Sequence, residues 1–580
     1  MTTTLQNATP RPLAARGVAV TGRSRSPQDL LLLVATWVVV LALIAGPIVY
    51  IVIAAFSTDA TDPSAGFTLE SVAKVFATGK MLGLLAKSVG FALLVGVLST
   101  GLATALAWTT VRLDLRGSRL RENLCMGSMF MAPFVTAVAW VWLATPETGV
   151  INKALQSLGV PSWLQPDILS VPGMVFVLVA HYVPYAYLFV SASMSRIDSR
   201  MEEASLLCGR GMGYTTFRVV LPLLRASLLS SVLFVGILAL GEFSVPEILG
   251  QSGSFTPLSV NVYKALYSEN QDLSLAAAIS GELMIVCLLG LFLYGRSVRN
   301  ETKFVSVSGR GHTETKNKPS RVTAAVVWVV TLAYGVISFV IPLIAMLLMA
   351  LSKYLAPTIA DMNLSLSNLW DAIDTSQVWT ATLNSLALAI AVPVLSIFVG
   401  VAVVYLADRA KVRTARALTY VATMPLAVPG LVMGTGLLLM LIGTPLYGTL
   451  PFIGIGLVSI SITHAVRLVS NGVQQIDRSL EEASQVCGVS PLKTVWSVLV
   501  PLIRPSVLSA FILIFVLTLR ELNVAVILST SDTGVLSVVA WNDSSSALTK
   551  AAAVGLLQLV VIFAGMGVLR GLFRLAERKK

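Results

Sequence analysis

Long apolar runs separated by short polar segments make up most of this 580-residue chain. The first run extends from Leu30 to Phe56, and a helix needs only ~20 apolar residues to cross a bilayer. We therefore predict a first membrane span there, and not a cleavable signal peptide, whose apolar core is shorter. Pro184 weakens the apolar pattern of the fourth span. The other spans predicted in this half lie at 84–108, 124–144, 170–190, 219–240 and 275–295.

The same plan repeats after a polar interruption at residues 296–321. This segment is rich in charge, glycine and proline, so we predict a cytoplasmic linker between two halves. The predicted fold is an all-α polytopic membrane protein with two tandem transmembrane halves of about six helices, 29–295 and 322–580, after a disordered cytoplasmic tail at 1–28. The spans predicted in the second half lie at 322–351, 384–407, 416–443, 452–470, 498–520 and 552–573.

Composition agrees with a membrane protein. The chain is 56% hydrophobic and 12% charged, with a mean hydropathy of +0.82, which is too apolar for a soluble protein of this size. A net charge of +12 does not require a nucleic-acid partner, because polytopic proteins collect lysine and arginine in cytoplasmic loops. Basic residues cluster in the tail, the linker, the C-terminus and the loops after the second, fourth and eighth spans. We therefore predict that both termini are cytoplasmic.

One short segment occurs twice, in the loop after the fourth span of each half. The first copy reads EEASLLCG over residues 202–209, and the second reads EEASQVCG over 481–488. Glu203 and Glu482 are 279 positions apart (482 − 203 = 279), and the same offset relates the glycines at the end of each copy and the prolines that follow. The offset is therefore constant across the motif, as expected for an internal repeat of domain size.

The repeated segment favours a short amphipathic helix parallel to the membrane. Its acidic residues can occupy the first turn, and Gly209 and Gly488 can end the helix in a left-handed conformation. Pro222 and Pro501 then fall near the start of the next span, where the missing backbone N–H costs little. A helix held in this way is well placed to bind a partner protein.

The motif resembles the signature of permease subunits of binding-protein-dependent ABC importers. That signature is Glu-Ala-Ala, three residues, Gly, nine residues, then an aliphatic residue, any residue, Leu and Pro. Both copies depart from it by one serine, Ser205 or Ser484, and the second copy has Val500 in place of Leu. Two copies in tandem halves indicate a fused permease with cores at 84–296 and 381–573.

The resemblance implies the type I importer fold, a bacterial inner or plasma membrane, and two classes of partner. Two copies of a separate ABC ATPase would dock on the two loops, and an extracytoplasmic solute-binding protein would deliver the substrate. Fused permeases of this length most resemble those for ferric iron, and thiamine, 2-aminoethylphosphonate and polyamine systems remain alternatives. The residues assigned to coupling are Glu203, Ala204, Gly209, Glu482, Ala483 and Gly488.

The chain lacks the Gly-x-x-x-x-Gly-Lys-Ser/Thr loop that cradles nucleotide phosphates. We therefore predict no ATPase site, no catalytic residue and no cofactor in this chain, and ATP and Mg would bind to the partner ATPase. The four cysteines are scattered, so neither a disulfide nor a metal site is predicted.

Two acidic residues are candidates for the substrate pathway. Glu242 and Glu521 are again 279 apart (521 − 242 = 279), near the outer end of the fifth span of each half. Acids at membrane depth often mark ion pathways, and a symmetric pair could face a cation such as Fe³⁺. The alternatives are a pairing of Arg520 with an acid on another helix and a wet interfacial position for Glu242. Glu282 in the sixth span has Val561 at the same offset, and a buried hydrogen bond would explain it.

The histidines and the repeated cysteines favour structural roles. His181 and His464 lie in the fourth spans but are not equivalent (464 − 181 = 283), and His312 lies in the linker. We expect packing or interfacial positions for these histidines. Cys208 and Cys487 are equivalent, and a small apolar contact would explain them.

A secondary transporter of the major facilitator type is the rival from another class, because it also has two halves of about six spans. The loop from Ala407 to Arg413 faintly resembles that family's Asp-Arg motif but lacks its flanking glycines. This rival leaves the double motif unexplained.

Overall fold

The computed structural model describes residues 27–62, 66–197, 199–250, 255–268, 271–301, 318–356, 358–410 and 414–578. Within them the regular elements are helices. Nine of the described helices are long and apolar enough to cross a membrane, and the number is twelve if each of three bent pairs counts as one span. The predicted all-α polytopic class is therefore confirmed. Most of the predicted tail and linker, including His312, lies outside the described residues.

The described part of the first half contains nine helices, α1 to α9, and three further short helices that are given without a label. In chain order they are α1 Leu30–Ala55, Glu70–Phe76, α2 Gly79–Val111, α3 Ser118–Phe130, α4 Pro133–Ala144, Val150–Ser157, α5 Val171–Met194, α6 Ser199–Leu207, α7 Met212–Gly241, Ser244–Leu249, α8 Leu258–Tyr267 and α9 Leu273–Ser297.

The second half repeats this order without a counterpart of the short helix Val150–Ser157. Its helices are α10 Arg321–Leu351, Leu366–Ile373, α11 Ser376–Arg409, α12 Ala417–Leu426, α13 Gly430–Leu441, α14 Leu450–Gln474, α15 Ser479–Val486, α16 Val495–Leu502, α17 Arg504–Arg520, Asn523–Leu528, α18 Leu536–Ser544 and α19 Leu548–Phe573. The repeat extends to local detail, because α1 and α10 each contain one π-helical turn followed by a proline.

The third span predicted in each half, at 124–144 or 416–443, falls on a pair of helices that meet at a sharp bend. Helices α3 and α4 meet at 93°, and α12 and α13 meet at 109°. Proline disfavours helical backbone in the residue before it, and Ala132, which precedes Pro133, is extended with ψ 142°. In the second half the break falls at Pro429, which has ψ 143°.

The proline effect is weaker in the fourth spans. Pro184 lies inside α5, which remains one helix over 24 residues, as membrane helices often do when neighbouring helices satisfy the freed backbone groups. The predicted span 498–520 is interrupted instead, since α16 and α17 meet at 72° around Ile503.

Each half sends its first span across to the bent helices of the other half. In α13, a Cβ on Gly436 would lie 2.5 Å from the carbonyl oxygen of Pro47 in α1, so only glycine permits this approach. On the opposite side the hydroxyl of Tyr334 in α10 lies 3.2 Å from that of Ser128 in α3. These contacts tie the two halves into one bundle around a shared interface.

Candidate functional site

The repeated motif forms the short helix that the sequence predicts in both halves. Helix α6 leads to Gly209 at φ +75°, and α15 leads to Gly488 at φ +83°. L-residues adopt this left-handed region at a cost, so glycine is the residue that ends the helix most easily here. The side chains of Ala204 and Ala483 and the acids Glu203 and Glu482 lie on the exposed surface.

The serine that replaces the second alanine of the family motif makes a hydrogen bond in both copies. The hydroxyl of Ser205 lies 2.8 Å from that of Thr215, and the hydroxyl of Ser484 lies 3.0 Å from that of Thr494. Each bond ties the short helix to the chain that re-enters the membrane ten residues later. The substitution is therefore compensated inside the loop.

Large apolar side chains surround the exposed acids. Leu207 is 89% exposed and Val486 is 88% exposed, at the ends of α6 and α15. Phe217 and Trp496, at the start of the following span in each half, are also exposed. The two cysteines that were expected to make a small apolar contact, Cys208 and Cys487, are likewise exposed, so that contact is not made within the described chain.

The acids that precede Glu203 and Glu482 are buried, and the sequence analysis did not single them out. Glu202 Oε1 lies 2.8 Å from Arg112 Nη2, with 7% and 6% of the two side chains exposed. Glu481 Oε1 lies 3.0 Å from Arg409 Nε, with 10% and 7% exposed. Each arginine stands at the end of the second span of its half, α2 or α11.

The same arginines also bind the end of the fourth span. Arg112 donates to the carbonyl of Met194 at 3.1 Å, and Arg409 donates to the carbonyl of Val473 at 2.7 Å. Each arginine thus joins the short helix to two membrane helices. Burial raises the pKa of the Glu202 and Glu481 carboxyls above the usual value, and the neighbouring arginine opposes this effect in each case.

Glu242 and Glu521 lie at equivalent helix ends, as predicted. Each follows the last helical residue, of α7 or α17, in extended backbone. Glu242 accepts hydrogen bonds from the backbone N–H of Ser244 at 2.9 Å and from its hydroxyl, and Glu521 accepts from the N–H of Val524 at 3.2 Å. Each acid therefore satisfies a backbone N–H in the first turn of the short helix that follows.

These two acids face one cavity of about 340 Å³ between the halves. Helix α7 has 30 residues, roughly 45 Å of helix, so the cavity wall at Glu242 lies far from α6. The cavity is also lined by Arg467, by Arg520 and by both histidines of the fourth spans. The histidines were not expected to line a shared cavity, because their unequal offset gives no sign that both fourth spans face the interface.

The two histidines differ in their surroundings. His181 is buried among Tyr182 and Tyr185, and its Nδ1 atom has no hydrogen-bond partner among the described residues. His464 is half-buried. Within the described chain no three His, Cys, Asp or Glu side chains lie close enough together to hold a metal ion.

Arg520 does not form an ion pair with an acid of another helix among the described contacts. It donates to the hydroxyl of Tyr185 and to the carbonyl of Met129, with Met131 O at 3.5 Å, all in the first half. Arg520 therefore binds the two halves together beside the cavity.

The structure corrects the assignment of Glu282. The sixth spans begin at Leu273 and Leu548, so their offset is 275 (548 − 273 = 275), and the counterpart of Glu282 is Leu557, not Val561. The expected hydrogen bond is also missing, since neither carboxyl oxygen of Glu282 has a partner in the described residues.

Comparison with known proteins supports an importer permease. The family model described as binding-protein-dependent transport system inner membrane component matches residues 101–301 and 401–578. The chain is 26% identical to the ferric transport system permease protein FbpB of Actinobacillus pleuropneumoniae, over 82% of this chain and 69% of that protein. It is 25% identical to the putative ferric transport system permease protein FbpB 1 of Haemophilus influenzae, over 87% and 79%.

A solved structure is similar at a lower level. It is a bacterial ABC transporter involved in the import of the acidic polysaccharide alginate, with 14% identity, a TM-score of 0.38, and coverage of 48% of this chain and 97% of that one. The family match falls on both halves and includes both copies of the repeated motif. The secondary-transporter alternative is therefore wrong, and the chain belongs to the family of binding-protein-dependent transport system inner membrane components.

Proposed function

We propose that this chain is the fused permease of an ABC importer that carries ferric iron across a bacterial inner or plasma membrane. The observation that supports it most is the symmetric pair Glu242 and Glu521 on the wall of one cavity between the halves. The relatives named for ferric transport, which match across both halves, favour the same substrate. Carboxylates are the natural oxygen ligands for a hard cation.

The energy for transport would come from two separate ATPase subunits that dock on α6 and α15. The exposed residues Glu203, Ala204 and Gly209, with their counterparts Glu482, Ala483 and Gly488, would face those subunits. Closure of the ATPases on ATP would move both short helices, and the halves would then open on the other face. In this arrangement the loops at α6 and α15 and both termini are cytoplasmic.

The substrate would enter from an extracytoplasmic binding protein and pass between the halves. Mg and ATP would be bound by the ATPase, and the permease would contribute no catalytic group. Bringing a cation to the cavity between two carboxylates offsets part of the cost of removing its water.

A substrate with an anionic group is the second candidate, and one observation favours it. Arg467 and Arg520 line the same cavity as the acids, and arginine is well suited to bind a phosphonate. A zwitterion such as 2-aminoethylphosphonate could contact both kinds of charge. Thiamine and polyamines are cations and compete with iron for the carboxylates alone.

The test is ATP-driven uptake into vesicles that contain this chain with its ATPase and binding protein. Labelled ferric iron is compared with thiamine, 2-aminoethylphosphonate and a polyamine. The same assay is run with the double variant Gly209→Leu/Gly488→Leu, in which each leucine is forced into the left-handed region at a cost of about 1–2 kcal/mol. The matched control is Gly159→Leu, which has φ +75° and open space around it but lies outside both loops.

Iron uptake that requires ATP, and that is lost in the double variant but not in the control, supports the proposal. Uptake of another of these substrates and not of iron would contradict the proposed substrate but would still support the importer function. Uptake that ignores both the ATPase and the two glycines contradicts the coupling sites.

A further inference from the structure

Two equivalent residues of the two halves touch each other. Tyr263 in α8 and Trp541 in α18 are 278 positions apart (541 − 263 = 278), as are Ser259 and Ser537 in the same helices. The indole Nε1 of Trp541 donates to the hydroxyl of Tyr263 at 3.3 Å, and the two rings are perpendicular with centroids 6.0 Å apart. A residue that contacts its own counterpart lies close to the axis that relates the halves, where a central path would run.

A third ring completes this cluster. Phe243, the residue after Glu242, is fully buried and stacks on Tyr263 with centroids 4.9 Å apart. It also meets Trp541 at 5.3 Å with the planes at 64°. Such packing is typical of stable aromatic contacts. Phe243, Tyr263 and Trp541 are called the aromatic cluster below.

The serines of the same helices fix the cluster relative to the acids. Ser259 donates to the carbonyl of Glu242 at 2.9 Å, and Ser537 donates to the carbonyl of Glu521 at 2.8 Å. Both helices are therefore anchored at the pathway acids, one on each side. A movement of α7 against α17 would be passed directly to Tyr263 and Trp541.

The aromatic cluster adjoins two cavities, because Phe243 lies between Glu242 and Ser244, which line one of them, and Tyr263 and Trp541 line the other. The inner cavity, of about 340 Å³, is lined by Glu242 and Glu521. A second cavity, of about 1100 Å³, is lined by Tyr263 and Trp541 together with polar groups that include Glu247, Lys353 and Asn542. We call this second cavity the outer vestibule.

We propose that the aromatic cluster is the outer gate of the translocation path, closed in this structure, and that Tyr263 and Trp541 must separate before substrate passes from the outer vestibule to the inner cavity. This inference rests on the proposed transport function. An apolar constriction blocks ions because it excludes the water they carry. Separation of the halves would open the gate without breaking either serine anchor.

The test measures access from outside to a position beyond the gate. Ser461 lines the inner cavity and Ser545 lines the outer vestibule. Each is changed to cysteine in the complete transporter, in right-side-out vesicles, and is labelled with a membrane-impermeant thiol reagent. The transporter without either added cysteine gives the background. We expect S545C to react and S461C to react slowly.

Opening the gate should expose the cysteine of S461C in the inner cavity to the thiol reagent. Trp541→Ala is expected to raise the labelling rate of S461C about tenfold or more, equivalent to about 1.4 kcal/mol in favour of the open gate, and to leave S545C unchanged. Trp541→Phe keeps a ring and should give a smaller rise. The matched control is Trp370→Ala, a tryptophan that is 57% exposed and makes no ring contact with the cluster among the described aromatic pairs. An unchanged S461C rate in Trp541→Ala overturns the proposal.

A second measurement does not depend on the stability of the alanine variant. Tyr263→Cys and Trp541→Cys are combined and joined by a short cleavable bifunctional thiol reagent. Uptake is expected to fall at least tenfold and to return on cleavage, and full uptake by the crosslinked protein overturns the gate. The labelling assay needs no substrate, so a failure of iron uptake with intact labelling results counts against the proposed substrate and not against the gate.

Discussion

The buried ion pairs that hold α6 and α15 should matter more for the stability of the complex than the exposed acids beside them. The perturbation is Glu202→Ala, and its matched control is Glu203→Ala, one position along the same helix. Glu202 is 7% exposed and pairs with Arg112, whereas Glu203 is on the surface. The first variant removes the link between α6 and the end of α2, and the second does not.

The expected loss in the free energy of unfolding depends on which partners the arginine keeps when the glutamate is removed. In Glu202→Ala, Arg112 stays buried and keeps the carbonyl of Met194 at 3.1 Å. Breaking a buried pair in this way typically costs about 3–5 kcal/mol. In Glu481→Ala, Arg409 keeps two carbonyl contacts, to Val473 at 2.7 Å and Ile476 at 2.9 Å. We therefore expect the loss to be smaller in the second half than in the first.

The assay combines stability with coupling. Thermal unfolding of the purified complex gives the change in free energy, and uptake per ATP hydrolysed gives the coupling. The double variant Arg112→Met/Glu202→Leu replaces both charges by apolar groups, so it should recover most of the stability lost in Glu202→Ala. It should not recover coupling, because the polar link to the fourth span is still missing. A double-mutant cycle with no interaction energy, or equal losses of stability in Glu202→Ala and Glu203→Ala, would refute this reasoning.

The pH dependence gives an independent check with a definite sign. Burial raises the pKa of Glu202 in the folded protein above its usual value of 4.5, against the pull of Arg112. The stability contributed by this group is therefore fully present below the unfolded pKa and is lost as pH rises through the higher folded value. Glu202→Gln, which stays neutral, should gain stability relative to the natural chain as pH rises from about 4.5. The opposite slope in a thermal unfolding series would mean that the ion pair outweighs burial.

Three further outcomes are expected. Glu242→Gln and Glu521→Gln should each lower the uptake of a cation about ten- to hundredfold, because each removes a charged contact of about 1.5–3 kcal/mol, and equal uptake by both variants and the natural chain would place the path elsewhere. Arg520→Met should lower the unfolding temperature of the purified complex, because it removes donors that join the halves, whereas Arg520→Lys should lose less. Gly436→Ala places a methyl group 2.5 Å from a carbonyl oxygen of α1 and should cost about 1–3 kcal/mol, whereas Gly443→Ala, with open space around it, is the neutral control in the same unfolding assay.

The short helices α6 and α15 could be predicted from the sequence because the spacing of the repeat is constant across them. The offset between equivalent residues is not the same for both partners of the ion pairs. Arg112 and Arg409 are 297 positions apart (409 − 112 = 297), whereas Glu202 and Glu481 are 279 apart. The difference arises between the third and fourth spans, where residues 145–170 join α4 to α5 but only 442–449 join α13 to α14. The offset of 279 therefore relates the two acids to each other but does not relate the two arginines that bind them.

The fold could be predicted at the level of apolar runs but not at the level of bends. Length and hydropathy identify a run of twenty apolar residues, yet the run over 124–144 contains Pro133 and the run over 416–443 contains Pro429, and both bend at those prolines. Pro184 causes no break in α5. Proline alone does not decide the outcome, because the packing around it determines whether the freed carbonyls find partners.

The two halves resolve the same problem at these bends with different residues. Gly241 and Arg520 are equivalent (520 − 241 = 279), and each faces the break in the other half's bent helix. A Cβ on Gly241 would lie 2.5 Å from Pro429, so this position must be empty for the helices to meet. Arg520 instead donates to the carbonyl of Met129 at the other break. One break is closed by direct packing and the other by a long cationic side chain, so the interface beside the pathway acids has two unequal sides. If Glu242 and Glu521 line the substrate path as proposed, they would therefore meet the substrate in different electrostatic surroundings, and a double substitution is needed to measure their joint contribution.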